Sequence, residues 1–273
     1  MSVAAADTAL PSTARRRTVP GAVLGLGGLL GLVVVIEMMP RIGLVDPRFL
    51  PPFSEMVTAL AEQVGTPEFW ESLLATLRGW ATGLTISMVA GVVLGIVIGS
   101  VPALSAATSS TIEFLRPIPS VALIPLAVLL YGTQPTSTLL LVVYASFWQV
   151  LLQVLYGVRD VDPVARETAR SFRFRPLTQV RTVIWPTTLP YVMTGFRLAA
   201  AVALILEITG ELIIGSPGLG REIAVAQTSG AVASMYALVI VTGLIGVLVN
   251  VAARAGERRV LRWHPSVRGE VPQ

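Results

Sequence analysis

The sequence predicts an all-α fold, a polytopic membrane helical bundle of about six transmembrane helices. Three observations carry that prediction. Hydrophobic residues make up 53% of the 273 and charged residues only 13%, against roughly 25% charged in a typical soluble domain. Mean hydropathy is +0.74, so too few charges remain to cover a water-facing surface. Six segments approach the roughly 20 apolar residues that a spanning helix requires, and the arginines between them alternate in density from one side to the other.

The first span is placed at 21–39, after Arg15, Arg16 and Arg17. It is long for a signal peptide and no small-x-small cleavage site follows before Pro40, so an uncleaved span is expected. The polar stretch 40–78 carries Glu55, Glu62, Glu68 and Glu71, is broken early by Pro40, Pro47, Pro51 and Pro52, and predicts a helix over 68–77 leading into the second span at 79–104. Gly91, Gly95 and Gly99 lie on one face of that span, as Gly21/Gly25 and Gly27/Gly31 do in the first. Small residues at four-residue spacing let helix backbones approach closely in lipid; a pore lining is the other reading. The third span, 112–131, contains Pro117, Pro119 and Pro125. Each proline removes a backbone donor, which predicts a kinked or broken helix, serving either packing or a translocation path where cavity or protein buries the broken backbone. A tight hairpin at 132–136 leads to the fourth span, 137–158, and the fifth and sixth follow at 187–212 and 233–253.

With the N-terminus inside, the inner segments 1–20, 102–116, 159–186 and 254–273 hold fifteen arginines and the outer segments four. That distribution fits the positive-inside rule with both termini cytoplasmic. The expected organisation is a tail 1–20, a transmembrane domain 21–253 containing the loop 159–186, and a tail 254–273. All 20 basic residues are arginine and the pI is ≈ 10.1, but no soluble basic domain exists to hold nucleic acid. Cysteine is absent and His264 is the one histidine, which excludes disulfide scaffolds, thiolate and multi-histidine metal sites, and cysteine nucleophiles. Serines such as Ser146 have no histidine in a span to activate them, so a membrane-embedded enzyme is disfavoured.

Two stretches carry candidate function. The fifth span contains Arg197, Glu207 and Glu211 on one helical stripe, with Arg197 about 20 Å along the axis from Glu211. Intramembrane charge faces a bundle interior, a cavity or a partner, so Arg197 serves either a structural pairing or the transport path, and Glu211 either an outer gate or a cap. The loop 159–186 holds Asp162-Pro163, an N-cap followed by a first-turn proline, then a short helix over 164–172 and a second opened by Pro176 and disturbed at its end by Pro186. Val164, Ala165, Ala169 and Phe172 recur at near-helical spacing and predict a docking face.

At this loop the chain resembles the inner-membrane permease component of binding-protein-dependent ABC importers, with Glu167-Thr168-Ala169-Arg170-Ser171-Phe172-Arg173 at the start of the family's cytoplasmic motif and Val183-Ile184-Trp185-Pro186 and Leu189-Pro190 at its end. Leu115-Arg116-Pro117-Ile118-Pro119, Ala122-Leu123-Ile124-Pro125-Leu126, Tyr131-Gly132, Thr194-Gly195-Phe196-Arg197, Glu211, Gly218-Leu219-Gly220 and the tail 257–263 are similar to the nitrate, sulfonate and taurine permease group. The resemblance covers about 70–263 and implies a type I ABC importer permease fold in a bacterial cytoplasmic (inner) membrane. It implies a pair of permease subunits, here a homodimer, an ABC ATPase dimer docked on each subunit's coupling helix, and an external substrate-binding protein. It also implies surrounding membrane lipid and no nucleic acid. Asp162, Glu167, Thr168, Ala169, Phe172 and Arg173 would make the ATPase contact, with Ile184 and Pro186 supporting the loop. Pro117, Pro119, Pro125, Arg197, Glu207 and Glu211 would border the path of a small anion such as a sulfonate, taurine or nitrate. The chain has no lysine and so no phosphate-binding loop; no cofactor is expected on it, and ATP–Mg would sit on the ATPase. Thr168 stands where the motif has alanine. Arg173 stands where it has glycine, and predicts a different turn or an added contact to the ATPase. The competing function is a self-sufficient secondary transporter or channel that uses Arg197, Glu207 and Glu211 as an ion relay.

Overall fold

The computed structural model describes residues 21–263. The tail 1–20 with its three arginines, His264 and Arg268 lie outside the described residues. The described residues form helices joined by turns and short loops, without a strand. Four helices are long and apolar enough to span a membrane, and two bent helix pairs raise the number to as many as six.

The N-terminal unit, through Ser54, contains α1 (Gly21–Arg41). Its leucines are mostly exposed, and nothing lies within 4 Å of a Cβ built at Gly25, Gly27 or Gly31. At the far end Glu37 pairs with Arg41 at 2.6 Å and accepts from the Ser54 N–H at 2.9 Å.

In the second unit, α2 (Phe53–Val64) is an amphipathic helix that buries Met56 and Ala59. The polar stretch 40–78 did not predict it. The helix expected over 68–77 is the start of α3 (Pro67–Ser100), one uninterrupted 34-residue helix. At 1.5 Å per residue it is about 51 Å long, well beyond the roughly 30 Å hydrocarbon core, which explains its charged first three turns. It stops at Ser100 rather than Leu104. Pro102 drives Val101 into extended backbone (φ −113, ψ 105), as a residue preceding proline tends to do.

Helix α4 (Pro102–Leu115) then meets a 3₁₀ turn (Ser120–Leu123) and α5 (Ile124–Tyr131) at a bend of 83°. The break expected from the three prolines is present. It divides a longer helical stretch than 112–131, since 102–115 is helix as well.

The core is α6 (Pro135–Arg159) between α3 and α9 (Trp185–Ile214). A glycine column on α3 receives a valine ridge on α6. A Cβ at Gly91 would lie 2.7 Å from Val150 Cβ, one at Gly95 2.6 Å from Val154 Cγ1, and one at Gly99 2.9 Å from Val158 Cβ, with Gly83 against Val142 in the same series. Ser87 fills the remaining four-residue step and donates to the Val143 carbonyl at 3.2 Å. The four-residue period on both helices is ridge-into-groove packing tightened by small residues. On its other side α6 meets α9 in the same way, at Gly157 under Thr188 and Tyr191 and at Gly210 against Thr138. Trp80 of α3 closes the triangle by donating to the Ala200 carbonyl at 2.9 Å.

Between α6 and α9 run α7 (Pro163–Ser171), α8 (Pro176–Gln179) and a π-helical turn (Val180–Ile184). The second short loop helix is thus not separate from the fifth span: Pro176–Ile214 is one helical run, bent 42° from α10 (Leu219–Thr228). Pro186 has no N–H to donate, and the Trp185 N–H reaches back to the Val180 carbonyl, so a wider turn absorbs what the proline would break. Helix α11 (Val232–Val260) carries the sixth span beyond 253 and ends with Arg258 and Arg259 in its last turn, where cations favour the helix dipole.

Gly95→Leu is expected to destabilise the protein by roughly 1–3 kcal/mol or prevent its folding. Gly243→Ala, with nothing within 4 Å, should be neutral or slightly stabilising. Thermal unfolding in detergent checks both, and equal melting would refute the seam.

Candidate functional site

The α7–α8 segment is built as an anchored helix with one free face. Asp162 accepts from the Val164 N–H at 2.8 Å and so caps α7. The Arg166 guanidinium turns back to the Val158 carbonyl at the end of α6. Ala169 is buried at 3% exposure, while Val164 and Phe172 stand 67% and 73% exposed. The apolar face expected to dock as a whole is therefore divided: Ala169 packs inward, and Val164 and Phe172 are presented. Glu167 is exposed, and Thr168 is exposed with its hydroxyl donating to the Val164 carbonyl at 2.8 Å. Ile184 is buried in the main core cluster with Val158, Val161 and Val192, and Pro186 is half-buried.

Arg173 does not produce a different turn. Its φ is 54°, positive as for no other non-glycine among the described residues. The Phe174 N–H donates to the Ala169 carbonyl at 3.0 Å and the Arg173 N–H to Arg170 at 2.8 Å, the paired closure that helices ending on glycine use. The left-handed turn is kept with a side chain that costs roughly 1–2 kcal/mol there.

At the proline break, Pro117, Pro119 and Pro125 are all exposed. The freed Leu115 carbonyl accepts from the Tyr144 hydroxyl at 2.6 Å, which ties the end of α4 to α6.

The stripe of charges on α9 divides between neighbours. Arg197 pairs with Glu257 of α11 at 3.4 Å and is partly exposed. Glu207 is buried against α3 beside Gly79, where a Cβ would overlap the carboxylate. Its Oε2 has no hydrogen-bond partner among the described residues. Glu211 is fully buried. Its Oε2 accepts from the Gly220 N–H at 2.8 Å and the Thr76 hydroxyl at 3.0 Å, and Thr76 in turn accepts from the Leu219 N–H at 2.9 Å. The carboxylate and hydroxyl together satisfy the first turn of α10, where a negative group is also favoured by the helix dipole. Gly218 (φ 154°) passes so close that a Cβ would overlap the carboxylate. Thr76, Gly79 and Glu257 were not among the expected site residues. Only the excess of glycine around the two glutamates hinted at this arrangement.

Glu211→Ala would leave the buried Gly220 N–H without its acceptor, while the Thr76 hydroxyl can still donate to the Ser72 carbonyl at 3.2 Å, and is expected to cost about 1–3 kcal/mol. Glu211→Gln keeps an acceptor oxygen and should cost less. Thermal unfolding checks the order, and indifference to both changes would refute the cap.

The chain is similar to known transport proteins along most of its length. The family model described as binding-protein-dependent transport system inner membrane component matches residues 87–262. The taurine transport system permease protein TauC of Escherichia coli (strain K12) is 30% identical over 249 residues, covering 89% of this chain and 90% of that protein. The putative aliphatic sulfonates transport permease protein SsuC of Bacillus subtilis (strain 168) is 28% identical over 238 residues, covering 87% and 86%. A chain of the MetNI methionine ABC transporter, solved in inward-facing conformations, shares the fold with a TM-score of 0.62 over 72% of this chain and 99% of that one, at 17% identity. The protein belongs to the binding-protein-dependent transport system inner membrane components: it is a multi-pass permease subunit of an ABC importer, a transport protein rather than an enzyme, whose partners are an ATPase and a substrate-binding protein.

Proposed function

We propose that the chain, paired with a second copy, forms the translocation path for a small anion of the sulfonate type, delivered by the external binding protein and driven by an ATPase docked on α7. The observation that carries this reading is the construction of α7: capped by Asp162, anchored through Ala169, and presenting Phe172 and Val164 to the outside. An apolar ring held 73% exposed on a short anchored helix suits insertion into a groove. The relatives named for taurine and aliphatic sulfonates support the substrate class.

In this reading both termini and α7 face the cytoplasm, as the arginine distribution favours. ATP–Mg is bound by the ATPase. Its closure moves α7, with Glu167, Thr168, Phe172 and Arg173 at the contact. Packed elements transmit displacement because interiors are close-packed and compress little. Ala169 and Ile184 couple α7 to the π turn and Pro186, and from there to α9. The path runs beside the exposed break at Pro117, Pro119 and Pro125, and the second copy completes it. Glu207 and Glu211 hold α3, α9 and α10 together along its border, and Arg197 is steadied by Glu257.

Phe172→Ala is expected to lower ATP-driven uptake of taurine or an alkanesulfonate by about tenfold or more in proteoliposomes carrying the ATPase and binding protein, as truncating an interface anchor does. Melting should change little, since the ring is 73% exposed. Unimpaired uptake would overturn the docking role. Uptake that is intact but indifferent to sulfonates, with the binding protein selecting another solute, would overturn the substrate class alone.

A further inference from the structure

The left-handed arginine at the end of α7 has no compensating ion pair among the described residues. The closure at 169–174 forms through backbone groups alone, so glycine would make the same turn without opposing it. The Arg173 side chain is exposed and is in no ion pair among the described residues. Its surroundings add to the cost rather than relieve it. Arg170, Arg175 and Arg181 are exposed and likewise outside any ion pair, and Glu167 is the one acidic residue from 163 to 181. Four like charges on so short a segment repel one another. A strained residue that persists without internal compensation points to a role outside the chain.

We infer that Arg173 is a recognition residue that takes a carboxylate-bearing recess on the partner ATPase, with Arg170 and Arg175 as its charged surround. The inference rests on the proposed docking of the ATPase at α7 and adds the chemistry that selects it. Phe172, the neighbouring residue, would supply the apolar anchor. The helix end fixes where the guanidinium leaves the segment, and a planar guanidinium suits bidentate pairing with a carboxylate. A lipid surface is the less favoured occupant, because diffuse headgroup attraction rewards arginine anywhere on the segment and gives no reason to hold one at a strained position.

The test uses the full chain in nanodiscs of neutral phosphatidylcholine and the purified cognate ATPase subunit, with affinity measured across a salt series. Arg173→Gly relieves the backbone and removes the charge. It should melt no lower than the parent, bind the ATPase about tenfold more weakly, as loss of a charge-assisted pair does, and show a shallower salt dependence. Arg173→Ala, which keeps the strain, should lose affinity equally, and Arg173→Lys should recover part of it. Parent-like affinity and salt dependence in Arg173→Gly would overturn the inference, as would a loss in Arg173→Ala that Arg173→Gly does not share. A loss seen only with phosphatidylglycerol in the bilayer would assign the residue to the membrane and overturn it too. Phe172→Asp separates the underlying reading: undiminished ATPase binding by that variant would remove the docking site itself, whatever Arg173 does.

Discussion

Close backbone approach among α3, α6 and α9 is the constraint on which the rest of the structure depends. In lipid, apolar side chains gain little by leaving the hydrocarbon, so helices associate through van der Waals contact and a few interhelical hydrogen bonds. The Gly83–Gly99 column against Val142–Val158 supplies that contact on one side of α6, and Gly157 and Gly210 supply it on the other. Two buried carboxylates are admitted by the same means. Gly79 makes room for Glu207, and Gly218 and Gly220 let the chain fold over Glu211. Charge in this bundle sits where the absence of a side chain has made a place for it.

The same economy explains how the segment after α6 is joined to the core. Pro186 and Pro190 sit near the start of α9, where each lacks the N–H that a regular helix uses. A π turn at Val180–Ile184 keeps the run from Pro176 to Ile214 continuous. The far end of that run carries Glu211, the cap of α10.

Much of this was legible in the sequence. The proline break, the Asp162 cap and the glycine column follow from local rules that lipid does not change. Other features are long-range. Helix α2 escaped because a proline cluster precedes it and its apolar face is narrow. The start of α3 lies in charged sequence because the helix outruns the membrane. That Glu211 caps α10 depends on Thr76, 135 residues away, which no local pattern indicates. That Ala169 turns inward while Phe172 turns out depends on the π turn beneath it. The left-handed Arg173 runs against the ordinary preference of its residue type, so local cost alone left open a different turn or an added contact to the ATPase.

The most direct test of the central claim is site-specific photo-crosslinking in the assembled importer. A photoreactive phenylalanine analogue replaces Phe172 in one preparation and Phe114, similarly exposed at 74% on α4, in another. Docking of the ATPase on α7 predicts an adduct from position 172 and none from 114. An adduct from 114 with none from 172 would contradict it, and would move the driving contact away from α7.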